Sequence, residues 1–253
     1  MGLFDFTEET HLAAAGKLPG TELDPDGKAR KRVRIQVFRN DFLERWFGTA
    51  HPATPGLWLP VAGLGIYLGV AGPLGPAWTA VLVAAGITLV TLIEYFLHRF
   101  LFHMVPKNHE DQLQHFLLHG YHHDFPNDPK RLVLPPIMIL PVAVVVGTVY
   151  FFVFGAYFWP VYGGTALGYI AYEWVHYYTH HFNPKAGMGK WLKRYHIMHH
   201  FDSPHHRFGI SSPLWDLVLG GYMPLNQSWR KMQKQAREAA EAELGDGPAE
   251  AKA

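Results

Sequence analysis

Residues 132–183 read LVLPPIMILPVAVVVGTVYFFVFGAYFWPVYGGTALGYIAYEWVHYYTHHFN, a tract in which Glu173 is the only charged residue. A second tract, residues 55–97, contains Glu94 as its only charge. A membrane-spanning helix needs ~20 predominantly apolar residues, so each tract is long enough for two spans. The alternative, a soluble protein with very apolar buried helices, would need an unusually large core for 253 residues.

Breaks rich in glycine, proline and aromatic residues divide both tracts, at residues 71–76 and 155–160. The sequence therefore predicts an all-α integral membrane protein. Its four transmembrane helices form two hairpins beneath a cytosolic, histidine-rich helical cap that holds a di-metal site. The predicted spans lie near residues 57–72, 76–97, 132–154 and 161–182.

Basic residues flank the tracts on one side, whereas the short turns inside the tracts have none. By the positive-inside rule, both termini, the central loop and the histidines are cytoplasmic. We predict a cytosolic N-terminal segment with an interfacial helix (1–54), a membrane domain with its cap (55–226) and a polar tail (227–253). The basic residues used here are Lys28, Arg30, Lys31, Arg32, Arg34, Lys130, Arg131, Lys190, Lys193 and Arg194.

Composition excludes several classes of function. The net charge of +1 gives no reason to expect a nucleic-acid partner. The chain has no cysteine, which rules out disulfides, iron–sulfur clusters, Cys-ligated zinc and thiol catalysis. It has 17 histidines, nearly as many as its 21 acidic residues, and most of them lie in the middle of the chain.

The spacing of these histidines is typical of a metal site. Residues three and four apart share a helix face, so the two HxxHH motifs can each present two or three imidazoles to one metal. His98 and His103 are five apart, so we expect the helix to bend or end there, or the two residues to approach different metals. The ten predicted ligands are His98, His103, His119, His122, His123, His176, His180, His196, His199 and His200.

Ten imidazoles exceed the needs of one ion, which takes about four to six ligands, so the sequence predicts two ions. Imidazole accepts zinc and iron alike, and ligand type alone does not choose the metal. Glu94 and Glu173 lie one turn before His98 and His176. Placing a charged carboxylate near the end of a membrane span costs free energy, so such a residue usually has a function. We predict that both carboxylates accept the second N–H of a ligand histidine. An ion pair with Arg99 or a packing role is the alternative.

The pattern resembles the fatty acid hydroxylase superfamily of membrane di-metal oxygenases, with the greatest similarity to fatty acid 2-hydroxylases that act on sphingolipids. The resemblance covers about residues 32–219. It rests on the histidine motifs together with RLVLPP (131–136), FGISS (208–212) and Trp215-Asp216. His115, His181, His205 and His206 neighbour the motifs and have no assigned role.

The resemblance implies a di-iron monooxygenase that hydroxylates a lipid acyl chain, most simply at the 2-position of a ceramide or fatty acid. O2 is the co-substrate, and iron is expected because zinc has no redox chemistry, although zinc fits the same ligands. The chain lacks the His-Pro-Gly-Gly motif of a fused cytochrome b5 domain. Electrons are therefore expected from a separate donor, either cytochrome b5-like or a ferredoxin with its reductase. The enclosing membrane is a bacterial inner membrane or the endoplasmic reticulum.

Three other functions are alternatives. A sterol or lipid desaturase or methyl oxidase of the same superfamily would use the same histidines. A membrane zinc hydrolase would need only three protein ligands and a water, and the motif H-E-x-x-H is absent after His109-Glu110. A metal transporter would be expected to carry polar residues through the whole membrane.

Overall fold

The computed structural model describes residues 5–18 and 34–245, and most of this part of the chain is helical. Within it there is no β-strand, only an isolated antiparallel bridge between Phe6 and Phe38. Lys28, Arg30, Lys31 and Arg32, used above for orientation, and the last residues of the tail lie outside the described ranges. The helices are α1 (Glu8–Ala14), α2 (Asp41–Leu43), α3 (Leu59–Ala71), α4 (Gly75–Phe96), α5 (His109–His115), α6 (Tyr121–Asp124), α7 (Pro136–Phe154), α8 (Phe158–His181), α9 (Gly187–Phe201), α10 (Leu214–Leu219) and α11 (Trp229–Gly245).

Short π-helical and 3-10 segments join or extend several of these helices. The π-helical segments are Glu44–Gly48, Leu97–Phe102 and Phe116–Gly120, and the 3-10 turns are Thr54–Trp58 and Gly155–Tyr157.

Three continuous helical stretches in the described chain are long and apolar enough to cross a membrane. They are Thr54–Ala71, Gly75–Phe102 and Pro136–His181, of 18, 28 and 46 residues. The prediction of a helical protein with membrane-length apolar helices is thus confirmed. The third stretch contains both α7 and α8, joined through Gly155, whose φ of +50° is a backbone conformation that glycine adopts readily.

Helix α8 is the central element and packs tightly against α3 and α4. Glycines make this close approach possible. A Cβ at Gly86 of α4 would overlap the carbonyl oxygen of Val161, and one at Gly65 of α3 would overlap that of Trp159. Small residues at such contacts let helix backbones meet inside a membrane. These three helices form the most tightly packed part of the described fold.

Helix α7 packs much more loosely. Tyr150 is its only buried residue, and its recorded polar contact to α8 is a hydrogen bond of 3.0 Å from Tyr162 Oη to the Ala143 carbonyl. The space between α7 and the pair α4–α8 is a cavity. Tight packing on one side and an open cavity on the other therefore coexist around α8.

A second, smaller core joins α1 to the segment that carries His119–His123. Val37 and Phe38 pack there with Phe116 and Tyr121, all fully or almost fully buried. Helix α9 packs on the C-terminal end of α8. These contacts bring the histidine-bearing segments together at one end of the helices.

Candidate metal centre

The ten histidines predicted from spacing converge in two groups of five. Within each group, one ring nitrogen of every histidine lies within 4.8 Å of the others. The first group contains His98, His103, His119, His123 and His199. The second group contains His122, His176, His180, His196 and His200.

A π-helical turn explains how His98 and His103 reach the same group. Residues Leu97–Phe102 are π-helical, and the His103 N–H donates to the His98 carbonyl at 3.2 Å. A π-helix bonds residues five apart, so this spacing places both side chains on one face. Their ring centroids are 5.0 Å apart. Of the alternatives left open by the sequence, a local change in the helix is therefore the one observed.

Each HxxHH motif divides between the two groups. His119 and His123, which are four apart, join the first group, while His122 between them joins the second. The other motif mirrors this, since His196 and His200 belong to the second group and His199 to the first. The two motifs thereby hold the two groups side by side, and the rings of His123 and His200 stack at 4.1 Å.

The nitrogen–nitrogen distances test whether the groups fit metal ions. Several Nε2 pairs are 3.0 Å apart, including His98–His119, His119–His123 and His103–His199. Two nitrogens bound at ~2.1 Å and at right angles to one ion would be ~3.0 Å apart. His119 Nε2, for example, lies 3.0 Å from Nε2 of both His98 and His123. A ring nitrogen carries either one proton or one lone pair, so it cannot form a hydrogen bond with both neighbours. The donor set thus fits an ion at each group better than hydrogen bonds alone.

Main-chain carbonyls orient part of the first group. His98 Nδ1 lies 2.6 Å from the Phe208 carbonyl oxygen, and His199 Nδ1 lies 2.8 Å from that of His206. Each Nδ1 must donate to its carbonyl, which leaves the Nε2 lone pair for a metal. Arg207, which lies between His206 and Phe208 in the sequence, is fully buried. Its φ of +64° is a strained conformation for a non-glycine residue.

Asp216 holds this loop in place, a role that the sequence did not indicate. Its fully buried carboxylate accepts from the backbone N–H groups of Phe208 (2.9 Å) and Gly209 (2.8 Å) and from Tyr195 Oη (3.0 Å). The sequence feature that could have indicated this role is the Trp215-Asp216 pair, which is part of the family resemblance described above. Because any residue can supply a carbonyl, the sequence could not reveal which ones orient the histidines.

Burial keeps the imidazoles outside the membrane-length stretches neutral. Desolvation, followed by the neighbouring imidazoles, lowers the pKa of His119, His122, His196, His199 and His200 well below its usual value. Neutral imidazole is the form that binds metals. The electrostatics of the site thus favour metal binding at neutral pH.

The two predicted carboxylates face a cavity rather than the histidines. Both oxygens of Glu94 are buried and have no hydrogen-bond partner among the described residues. Glu173 Oε1 accepts from the Leu134 N–H at 3.4 Å, and Tyr169 also bonds this carboxylate. Their predicted contact with ligand histidines is therefore not among the recorded hydrogen bonds.

The cavity is apolar and reaches both histidine groups. Its volume, counted as the space in which the centre of a water molecule fits, is about 160 Å³. Its walls come from α4, α7, α8 and the segment 131–135. His119 of the first group and His122 and His176 of the second lie on its wall, whereas Tyr162 lines its far part. An apolar ligand in this cavity would therefore lie beside both histidine groups.

The four histidines without an assigned role lie outside both groups. His181 stacks on Tyr177 at 4.3 Å, and its Nε2 is buried without a partner in the described chain. His115 lies against Gly120, since a Cβ there would be 3.1 Å from His115 Nδ1. His205 is exposed, and His206 stacks near Trp229.

Comparison with known proteins agrees with this geometry. A dihydroceramide fatty acyl 2-hydroxylase of Arabidopsis thaliana is 38% identical over 189 residues, covering 73% of this chain and 78% of that protein. A ceramide very long chain fatty acid hydroxylase of Saccharomyces cerevisiae is 35% identical, covering 76% of this chain and 51% of that protein.

The fold is also known from a solved structure. Full-length Scs7p, of which only the hydroxylase domain is visible, matches with a TM-score of 0.70 and 30% identity, covering 77% of this chain and 75% of that one. The family model described as fatty acid hydroxylase matches residues 83–221, more than half of the chain. With the two histidine groups beside an apolar cavity, these matches show that the chain belongs to the fatty acid hydroxylase family.

Proposed function

We propose that this protein is a membrane monooxygenase that hydroxylates a lipid acyl chain at the carbon next to the carbonyl. The overall reaction is RH + O2 + 2 electrons + 2 protons → ROH + H2O. The observation that carries the proposal is that one apolar cavity reaches both five-histidine groups. The named activities of the relatives, which are hydroxylases of dihydroceramide and ceramide acyl chains, support the same reaction class.

Iron is the metal that we propose for both groups. Each group would hold one ion through its five Nε2 or Nδ1 atoms, and the bound pair would supply the redox chemistry needed to activate O2. Zinc fits imidazole equally well but has no redox chemistry. The chain's own contribution is to keep ten imidazoles neutral and converged, and to orient His98 and His199 through carbonyls.

The cavity supports a long acyl chain as substrate. From His176 to Tyr162 it follows α8 for fourteen residues, or ~21 Å at 1.5 Å per residue. One leaflet of a bilayer core is ~15 Å thick, so this length suits an acyl chain taken from the membrane. Glu94, Tyr172 and Glu173 line the part nearest His176 and could meet the polar end of the lipid. We therefore propose a ceramide or fatty acid whose acyl carbon 2 lies beside the metals.

The packing of α7 on α8 supports a four-span topology. Ala143 and Tyr162 are 19 residues apart, which would be ~28 Å in a straight helix, yet they share a hydrogen bond of 3.0 Å. A turn at Gly155 explains this contact. We propose two hairpins, α3–α4 and α7–α8, with a cytosolic cap within residues 55–226, preceded by the segment 1–54 and followed by the tail 227–253.

An isotope experiment tests the function. The iron-loaded protein in lipid nanodiscs is first reduced anaerobically with stoichiometric dithionite in the presence of ceramide. It is then mixed with ¹⁸O2 for a single turnover, and products are analysed by mass spectrometry. We expect one ¹⁸O atom at acyl carbon 2 and none in a His199→Ala sample. An unlabelled product at full iron occupancy would overturn hydroxylation, and loss of two hydrogens without oxygen would identify a desaturase instead.

A further inference from the structure

The start of helix α11 carries a concentrated positive charge. Arg230, Lys231 and Lys234, which we call the basic patch, are all exposed and lie within two turns of the helix start. Trp229 precedes them and is half-buried. Two acidic side chains are recorded near them. The Asp202 carboxylate accepts from the backbone N–H groups of Trp229 and Arg230, and Glu238 lies 3.6 Å from Lys234 in an exposed pair. Such an exposed pair neutralises little of the patch.

Helix stability does not explain this charge. A helix favours acidic residues in its first turn and basic residues in its last, because of its macrodipole. Helix α11 has the opposite order, with the basic patch first and Glu238, Glu241 and Glu243 later. The Lys234–Glu238 pair also has the less favourable direction for a pair four residues apart. A function outside the helix is therefore the better explanation.

Hydrogen bonds connect the start of α11, and with it the basic patch, to the end of α9, which carries three of the ten histidines. The Trp229 N–H donates to Asp202 Oδ2 at 3.0 Å. Asp202 in turn ends α9, with its N–H bonded to the Met198 carbonyl at 2.9 Å, and its carboxylate accepts from Arg207 at 3.2 Å. The beginning of α11 thus has a defined position relative to the first histidine group.

Short contacts lead from Trp229 to that group. The Trp229 and His206 rings are 4.9 Å apart. The His206 carbonyl accepts from His199 Nδ1 at 2.8 Å, and His199 is a member of the first group. Electron tunnelling weakens steeply with distance and is favoured by bonded and hydrogen-bonded paths. This chain of contacts is such a path from the surface.

We infer that the basic patch and Trp229 form the docking surface for a small acidic one-electron carrier protein, whose electrons reach the first group through His206 and His199. The inference rests on the proposed function, which consumes two electrons per turnover. Each docked carrier is oxidised by one electron and leaves, so two dockings supply one turnover, and the two protons come from water. Opposite charges would steer and orient this brief encounter.

An anionic membrane surface is a less suitable partner for this helix. Helices that lie in a membrane interface bury a continuous face of Trp, Phe or Leu. Among its first ten residues α11 has two large apolar side chains, Trp229 and Met232. Trp229 is already packed against His206. The charge and the contact path both favour a protein partner.

The docking test uses the full metal-loaded chain in nanodiscs of neutral lipid and a soluble cytochrome b5 haem domain as the acidic carrier. Binding is measured at several salt concentrations, and oxidation of the reduced haem is followed by stopped flow. The variant Arg230→Glu/Lys231→Glu/Lys234→Glu should weaken binding and slow haem oxidation on the order of 10- to 100-fold at low salt. Its remaining rate should depend less on salt than that of the wild type.

A matched control changes the same amount of charge elsewhere. Lys107, Lys185 and Lys190 are exposed, and the last two lie at the opposite end of α9 from Asp202. The triple change of these lysines to glutamate should leave binding and haem oxidation within about twofold of the wild type, because separated surface charges are screened by salt. Equal losses in both triple variants, or none in the first, would overturn the docking surface.

Two further experiments test the role of Trp229 in electron transfer and the choice between a protein and a membrane as partner. Trp229→Leu should leave carrier binding unchanged but slow haem oxidation, and an unchanged rate would remove Trp229 from the path. If the basic-patch variant differs from the wild type only in nanodiscs of anionic lipid, the patch binds membranes and the inference is wrong. Dithionite-driven product formation by the wild type tests the proposed function by itself, since it needs no carrier.

Discussion

The two histidine groups contain the same number of imidazoles but are held in different ways. In the first group, His98 and His199 donate through Nδ1 to carbonyls of the loop at residues 206–208. In the second, the Nδ1 atoms of His196 and His200 are buried and have no partner within the described chain. The second group instead relies on α6, α8 and α9, with pairs four residues apart.

This difference separates two ways of building a metal site. In the second group, regular helix spacing pairs His176 with His180 and His196 with His200, because residues four apart on a helix share a face. The first group also needs a π-helical turn and a loop with a positive φ at Arg207. Changes in that loop should therefore affect the first group selectively, while changes of a ligand should disable either group.

Loss of a ligand gives the largest expected effect. His199→Ala removes one imidazole from the first group, and His196→Ala removes one from the second. Each variant should bind one fewer metal ion tightly and lose hydroxylation by more than ~100-fold, since both ions are proposed to act together. Metal analysis and product assays measure this, with exposed His51→Ala as control. Full activity in either variant would contradict the assignment of that group.

Acid should destabilise the metal-free protein through both groups alike. Burial lowers the pKa of His196 and His199 below the unfolded value of ~6.5. The unfolded chain then binds more protons below that pH, so stability is highest above pH ~6.5 and falls as the pH is lowered. Removing one buried imidazole from either group should reduce this slope by about 1.4 kcal/mol per pH unit.

Chemical unfolding of the metal-free protein in detergent at several pH values from 7 to 5 measures this slope. His199→Gln and His196→Gln should give the same reduction, while exposed His51→Gln should give none. A stability that does not change over this range would show that the imidazoles are not held neutral by burial.

Asp216→Asn should act mainly on the first group. The amide cannot accept from Phe208, Gly209 and Tyr195 as the carboxylate does, so the carbonyl acceptors would move. Loss of a residue that orients metal ligands usually lowers metal affinity about 10–100-fold. We therefore expect the ion of the first group to bind about 10–100-fold more weakly and the ion of the second group to be unaffected. Chelator titration measures both ions. Exposed Asp41→Asn is the control, and equal weakening of both ions would refute the distinction.

Tyr195→Phe should give the smallest effect. It removes one of the three hydrogen bonds to the Asp216 carboxylate, which corresponds to about 1 kcal/mol of unfolding free energy. Tyr162→Phe is a matched control, because its hydroxyl donates one recorded hydrogen bond of 3.0 Å, to the Ala143 carbonyl. The two variants should lose similar stability, but only Tyr195→Phe should weaken the first ion. Identical metal binding in both would show that the loop tolerates this loss.

Some features of the site could be predicted because they are local. Spacing along a helix selected the ten histidines that converge. For His98 and His103 it left two alternatives open, a helix that bends or ends or two different metals, and the structure shows a π-helical segment that ends at Phe102. The position of Glu94 and Glu173 near span ends suggested a contact with ligand histidines. The structure records main-chain carbonyls at His98 and His199 instead, and it places both carboxylates on the cavity wall.

The sequence by itself determined that this is a helical protein with membrane-length apolar stretches and which imidazoles converge in its two histidine groups, because hydrophobicity and helical spacing are local properties of the chain. Tertiary structure alone decided how the ten histidines divide, which carbonyls orient them and where the cavity lies. These features depend on segments as far apart as His98 and Phe208, 110 residues along the chain, whose meeting is set by packing.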